Sequence, residues 1–300
     1  MADESIVPKG AVVITGASTG IGMACAFHLD RLGFRVFAGI RKENDGNALI
    51  QGSEGRITPL HIEVTDSTTA AAAADHVAKA VGNTGLSGLV NNAGIAVGGP
   101  LEFLPLSEIR KQLEVNVLGQ IMVTQAFLPL LRLARGRIVN MGSIAGRVAS
   151  PFIGPYSASK YALEAITDAL RVELLPWGLS VSIIEPGDVA TPIWKKSLAA
   201  AQETLQGFPP QVVDLYGPAL AAVTRAAEKA AATGIDPDLV ARAVEHALTA
   251  ANPKTRYLVG RGVRLRALLK KVLPDRMFDR LIIRYINLPG RSGVATGNPA

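Results

Sequence analysis

Tyr156 and Lys160 stand four residues apart in Gly154-Pro155-Tyr156-Ser157-Ala158-Ser159-Lys160-Tyr161, a spacing that puts both on one face if the stretch is helical. An ammonium fixed beside a phenol stabilises the phenolate, bringing a pKa of about 10 toward neutrality. Such a pair can exchange a proton with an alcohol or carbonyl oxygen. Taken alone, the spacing is common on helix surfaces. Its meaning depends on what the rest of the chain brings to it.

The elements that could position this pair begin at the N-terminus. Ala11-Val12-Val13-Ile14-Thr15 is a β-branched run that ends in Gly16-Ala17-Ser18-Thr19-Gly20-Ile21-Gly22, after which the pattern is helical through Leu32. Strand, glycine turn and helix start together aim backbone N–H groups at a phosphate; a plain tight turn is the alternative, and Thr15 and the context favour a dinucleotide. The second strand, Arg35 to Ile40, runs into Arg41-Lys42 with no acid before Glu43. A basic residue there suits the 2′-phosphate of NADP, so NADP(H) is expected ahead of NAD(H). Arg41 is the first phosphate partner and a hydroxyl of Ser18 or Thr19 the second; a solvated Arg-Lys pair is the plainer reading. Ile57 to Val64 contains a third strand closing at Glu63-Val64-Thr65-Asp66, before an alanine-rich helix to about Val81. Leu86 to Val90 is a fourth, followed by Asn91-Asn92-Ala93-Gly94, where small side chains let the backbone approach a flat ring. This alternation predicts a parallel sheet covered on both faces.

The chain has 300 residues, 48% of them hydrophobic, enough for a substantial core. Its single cysteine, Cys25, excludes an internal disulfide and reads as inert packing. Met1 to Gly10 lacks the basic-then-apolar order of a signal peptide, and no uninterrupted apolar run reaches the roughly 18 residues of a membrane span. A cytoplasmic protein is expected. His61 and His76 have no ligand-like neighbours in sequence, so no metal is expected. The net charge of +6 is uneven: residues 251–300 hold eleven basic residues against Asp275 and Asp279, giving +9 there and −3 for the rest.

Thr15-Gly16-Ala17-Ser18-Thr19-Gly20-Ile21-Gly22, Asn91-Asn92-Ala93-Gly94, Asn116, Ser143, Tyr156 with Lys160, and Pro186-Gly187 followed by Thr191 together resemble the ordered motifs of the classical short-chain dehydrogenase/reductases. The resemblance covers about Lys9 to Gly260. It implies a single α/β domain over 1–260, a Rossmann-type doubly wound parallel sheet of about seven strands flanked by helices. It further implies Tyr156 as general acid/base and Lys160 lowering its pKa while binding the nicotinamide ribose. Ser143, after a fifth strand Arg137 to Met141, holds the reacting oxygen. Asn116, in a long helix from about Leu106 to Leu133, steadies a water that relays protons. The cofactor would touch Gly16, Ser18, Thr19, Gly20, Ile21 and Gly22, then Ile40, Arg41, Glu63 and Val64, and further along Asn92, Ala93, Gly94, Pro186, Gly187, Val189 and Thr191. Glu63 stands where many relatives carry an aspartate near the adenine ring. Homodimers or homotetramers built on the helices of Asn116 and Tyr156 are common in the family.

Residues 192–234 are helical in composition but broken at Gly207-Phe208-Pro209-Pro210 and at Gly217-Pro218, and they are expected to form a lid over the substrate. Trp194, Leu198, Leu205, Phe208, Val212, Val213, Leu215 and Tyr216 make that lid apolar and point to an apolar substrate, although each could equally be packing between helices. Pro176 to Gly187 and Pro253 to Tyr257 are most similar to the steroid and retinol dehydrogenase branch. Asp236-Pro237 opens a helix to Ala250, and Tyr257 to Val259 is a seventh strand. The basic extension, 261–300, repeats apolar residues at helical intervals. It can lie on an anionic membrane surface or pack back over the lid. No aromatic platform accompanies the charge, so nucleic acid is not an expected partner. The expected activity is NAD(P)-linked oxidoreduction of a secondary alcohol or ketone on a lipophilic substrate. The alternatives are a 3-oxoacyl-thioester reductase, which would carry a basic patch near its mouth, and a non-catalytic dinucleotide sensor.

Overall fold

The strands are β1 (Ala11–Ile14), β2 (Arg35–Ile40), β3 (Ile57–His61), β4 (Gly88–Asn91), β5 (Arg137–Met141), β6 (Ser180–Pro186) and β7 (Arg256–Val259). In the computed structural model, which describes residues 9–289, they form one parallel sheet in the order β3-β2-β1-β4-β5-β6-β7. The chain therefore steps outward from β1 to β3, returns to lay β4 beside β1, and steps outward the other way. At that reversal the two neighbouring strands send their following loops to opposite faces, leaving a crevice at their C-terminal ends. Residues 1–8 and 290–300, Arg291 among them, lie outside the described residues.

Successive strand residues face opposite sides of a sheet, so two cores form. Val12, Ile14, Val36 and Ala38 pack on one face against α1 (Gly20–Arg31) and α9 (Pro237–Thr249). Val13, Phe37 and Leu89 pack on the other against α3 (Ser67–Val81) and α5 (Gly119–Ala134). Cys25 sits in the first core, where burial pushes its thiol up to about 12, so it stays an inert thiol. The sheet edge carries α2 (Glu43–Gln51). Asp66 and Asp236 cap α3 and α9, each accepting the N–H two residues on.

The long helix expected from Leu106 is three pieces in line: α4 (Leu106–Leu113), a π-helical turn over Glu114–Leu118, and α5. Leu106–Ala134 is long and apolar enough to cross a membrane by composition, yet Val123, Phe127 and Leu131 bury its inner face against the sheet. The stretch holding Tyr156 and Lys160 opens α6 (Gly154–Glu173). Beyond β6, residues 192–234, the segment expected to form a lid, fold as α7 (Ile193–Gln206) and α8 (Gln211–Thr233). The break at Gly207–Pro210 is present, but the one expected at Gly217-Pro218 is not: α8 continues through Pro218. Proline there forfeits one backbone bond, while burial of Val212 before it and of Ala222 and Ala230 after it holds both halves of the helix against the rest of the fold. The extension folds as α10 (Val263–Val272) and α11 (Asp275–Ile286). Val263 and Phe278 pack on Ile144 and Val148 in a third small core.

Candidate active site

The crevice between β1 and β4 is braced from both sides. Thr15 Oγ1 accepts the N–H groups of Asn92 at 2.9 Å and Ala93 at 3.0 Å. The Asn92 amide donates back to the carbonyls of Thr15 and Gly16, both at 3.0 Å. A Cβ on Gly22 would lie 2.2 Å from the Gly16 oxygen and 2.5 Å from Asn92 Nδ2, and Gly16 itself has φ of 63°. Only glycine at both positions lets the turn close this tightly. Thr19 precedes α1 without a side-chain cap bond, so the first-turn amides of that helix remain open to an anion. The cradle fits a dinucleotide: Ser18, Thr19, Gly20 and Ile21 line one end of a cavity of about 780 Å³, and Ile40, Arg41, Glu63 and Val64 line it as well. Arg41 is 71% exposed, with Nη1 3.5 Å from Glu63 Oε2. Glu63 also accepts from Thr65 N–H and Oγ1–H, at 3.3 and 3.1 Å.

The same cavity reaches Ser143, Tyr156 and Lys160. Ser143 precedes the short turn Ile144–Gly146, and its Oγ accepts the Ala145 N–H at 3.1 Å, leaving the hydroxyl proton free to donate. Tyr156 lies in the first turn of α6, half-buried on the cavity wall. Lys160, one turn on, is buried. Its Nζ donates to the Met141 carbonyl at 2.7 Å and stands 5.7 Å from the centre of the Tyr156 ring.

Burial dominates both charges. It lowers Lys160 to about 8. It raises Tyr156 above its ordinary range, and the Ser143 hydroxyl beside it draws it partly back. Burial, rather than the charge one turn on, sets the direction of the Tyr156 shift. The lysine is turned toward Met141, and desolvation outweighs its attraction.

Pro186, Gly187, Val189 and Thr191 complete the floor, with Ala93 and Gly94 opposite. Trp194 Nε1 donates to the Val189 carbonyl at 2.9 Å, tying the start of α7 to that floor. Gly22 and Asn116 do not line the cavity. Asn116 is fully buried in the π-helical turn. Its Oδ1 accepts the Ile95 N–H at 2.8 Å, and its Nδ2 donates to the Ile95 carbonyl at 3.0 Å and to Ser159 Oγ at 3.1 Å. Ser159 in turn donates to the Tyr156 carbonyl at 2.7 Å. The Asn116 side chain therefore ties the loop after β4 to the first turn of α6.

Of the eight apolar lid residues, only Trp194 lines the cavity. Phe208 and Tyr216 stack with Phe103 at 6.3 and 6.1 Å between ring centres, Tyr216 with Phe152 at 6.0 Å, and Val212 is buried. The cavity face of the lid is instead made of small residues such as Ala222, Ala226 and Ala230, with Lys196, Arg225 and Lys229 among them. Alanines on a helix carry little hydropathy contrast, which is why periodicity did not single them out. Arg147 and Glu164, which join Glu185 and Arg256 in a charged cluster next to the Ser143 turn, belong to none of the sequence motifs. One signal was available: Glu185 is the one charged residue of β6, beside Ile183 and Ile184. Among the described residues, no group of three or more His, Cys, Asp or Glu side chains is arranged to hold a metal.

Residues 10–202 match the family model described as short chain dehydrogenase. Over 289 residues the chain is 39% identical to retinol dehydrogenase 5 of Mus musculus, covering 94% of this chain and 90% of that one. It is 37% identical to the 17-beta-hydroxysteroid dehydrogenase type 6 of Homo sapiens, with 94% and 90% covered. The NADPH-dependent 3-dehydrocapnine reductase of Ornithobacterium rhinotracheale is 36% identical, with 91% and 95% covered. Among solved structures, a short chain dehydrogenase from Burkholderia cenocepacia in complex with NADP superposes with TM-score 0.69 at 25% identity, covering 91% and 98%. With the parallel sheet, the glycine cradle and the Ser143–Tyr156–Lys160 wall accounted for, the chain belongs to the short-chain dehydrogenase/reductases, in their retinol and hydroxysteroid dehydrogenase branch.

Proposed function

We propose that the protein reduces a ketone on a lipophilic substrate to a secondary alcohol with NADPH, Tyr156 serving as the acid. The observation that carries this reading is the Tyr156 phenol lining one cavity with a serine whose hydroxyl is free to donate, the buried Lys160 ammonium 5.7 Å from the phenol ring. Two donors aimed at one oxygen stabilise the charge that develops there as the carbonyl is reduced. Tyr156 then gives up its proton to that oxygen, and Lys160, buried and close, is the cation that stabilises the phenolate left behind. A bound nicotinamide supplies the hydride. Seating it falls to Gly16, Gly20 and the first turn of α1, with Asn92–Gly94 and Pro186–Thr191 on either side. Arg41, exposed at the end of β2, is the group to meet a 2′-phosphate, which supports NADP over NAD.

The lipophilic substrate class is supported by the apolar wall of Ile95, Val97, Val148, Ile153, Ile193 and Trp194, and by the retinol and hydroxysteroid dehydrogenases among the relatives. One observation favours a second reading. Lys196, Arg225 and Lys229 put positive charge on the lid face of the cavity, all three exposed, as an acidic carrier of a 3-oxoacyl thioester would require. Contact with a membrane surface is supported by α10 and α11, which expose Leu265, Leu268, Val272, Met277 and Ile283 beside arginines and lysines.

The deciding experiment follows NADPH oxidation over retinoid, steroid, long-chain ketone and 3-oxoacyl-thioester substrates, with Tyr156→Phe as the comparison. Turnover on a lipophilic ketone that falls about 10²- to 10⁴-fold in the variant, with NADPH affinity retained, supports the reading. Undiminished turnover in Tyr156→Phe overturns it, and preference for the thioester selects the second.

A further inference from the structure

Behind Ser143 lies a cluster of charges that the chemistry above does not use. Glu185, on β6, is completely buried, and Glu164, on α6, is 13% exposed. Arg147, just past the Ser143 turn, spans Glu185: its Nη2 donates to Oε1 at 2.9 Å and its Nε lies 2.6 Å from Oε2. Arg256, at the start of β7, donates from Nε to Glu164 Oε2 at 3.0 Å and stands 3.7 Å from Glu185 Oε1. Arg147 Nη2 is also 4.0 Å from Glu164 Oε2. Farther along α6, Asp168 pairs with Arg256 and Arg171.

Three features single this cluster out. Glu164 occupies the same helix face as Tyr156 and Lys160, at successive turns. Its Oε1 is buried without a hydrogen-bond partner, Glu185 Oε2 has only the ion-pair contact with Arg147 Nε, whose angle is poor for a hydrogen bond, and the two carboxyls are close enough to share a hydrogen bond. Two buried carboxylates in contact repel unless one holds a proton, and a shared proton would give Glu164 Oε1 the partner it lacks. Finally, the turn they grip is the one that carries Ser143. Gly146 packs so closely on α6 that a Cβ there would lie 2.8 Å from the Lys160 carbonyl, and the Tyr161 hydroxyl donates to the Arg147 carbonyl.

We propose that Glu164 and Glu185 form a proton-sharing acid pair which, through Arg147 and Arg256, positions the Ser143 turn against Tyr156 and so sets the geometry of the oxygen clamp. These are positioning residues, and the proposal rests on the reading that Ser143 and Tyr156 hold the reacting oxygen. Glu164 is raised to about 7 by burial and by Glu185, against the pull of Arg256, so the pair releases its proton within the physiological range. The charged groups around it are Arg147 from the Ser143 turn, Glu185 from β6, Arg256 from β7, and Lys160, Asp168 and Arg171 from its own helix. With both acids ionised, their mutual repulsion pulls against the two arginines, and the turn shifts.

The test has two arms. Infrared difference spectra of the full-length protein, taken between about pH 5 and pH 9, should show a protonated-carboxyl stretch that titrates in the wild type and is lost in Glu164→Gln. In kinetics, Glu164→Gln keeps the shape of the protonated acid. It should flatten the wild-type change in kcat between about pH 6 and pH 8 while leaving the KM for NADPH within about twofold. Glu164→Ala should lower kcat by about tenfold or more, a loss the glutamine restores. A spectrum unchanged in Glu164→Gln, or a glutamine variant that keeps the wild-type pH profile, overturns the proposal. The infrared arm needs no turnover and can be run in Tyr156→Phe, so failure of the acid pair and failure of the catalytic reading are separable.

Discussion

Replacing Lys160 by methionine should cost the enzyme its activity and leave the fold as stable as before, or more so, near neutral pH. Lys160 is 4% exposed, and burial lowers its pKa from 10.5 to about 8. At 1.36 kcal/mol per tenfold change, holding the charge inside the fold costs roughly 3 kcal/mol. Its bond to the Met141 carbonyl at 2.7 Å returns about 1.5–3 kcal/mol as a charged donor, and a methionine of similar length fills the space. The net change at about pH 6 is therefore roughly 0–2 kcal/mol in favour of the variant.

The pH dependence has a definite sign. A lysine whose folded pKa is depressed holds fewer protons in the native than in the unfolded state between about 8 and 10.5, so stability rises with pH across that window. Between about pH 6 and pH 9.5 the wild type should gain roughly 2 kcal/mol from this residue relative to Lys160→Met. Urea unfolding of both proteins at the two pH values, with turnover measured alongside, checks it. A variant that is destabilised by several kcal/mol at about pH 6, or a stability difference that does not move with pH, would refute the reasoning.

Two further outcomes follow from the proposed function. Arg41→Asp should lose the preference for NADPH by about tenfold or more and tolerate NADH, since a carboxylate suits the ribose hydroxyl and repels the 2′-phosphate; steady-state KM values for both cofactors decide it, and equal ratios in both proteins would remove Arg41 from the site. In liposome flotation at low salt, the full chain should bind anionic vesicles more than neutral ones, and charge reversal at Arg276, Arg280 and Arg284 should release it. Equal recovery of both proteins with both vesicle types would dispose of the membrane surface.

Local chemistry made much of this protein readable from its residues alone. The strands from β1 to β7 lie close to their expected places because each is a short β-branched or apolar run bounded by turn residues, and parallel order follows from the helix between each pair. The glycine turn, Ser143 and the Tyr156–Lys160 spacing were legible because a phosphate cradle and a proton-transfer pair each need particular residue types at fixed intervals. Arg147 and Glu164, by contrast, meet Glu185 and Arg256 across four separate elements, at separations no spacing rule spans.

What the tertiary structure alone decided is electrostatic and steric. The order of residues places Lys160 one turn from Tyr156, but only packing determines that its ammonium turns to Met141 and that burial, not attraction, governs both pKa values. The lid's apolar residues were visible in the sequence; which of them face the cavity and which stack on Phe103 and Phe152 was not, because hydropathy reports that a side chain will be covered and says nothing about by what. Residue identity determines the available chemistry, while desolvation and long-range contact, which depend on every neighbour at once, determine the state in which that chemistry is held.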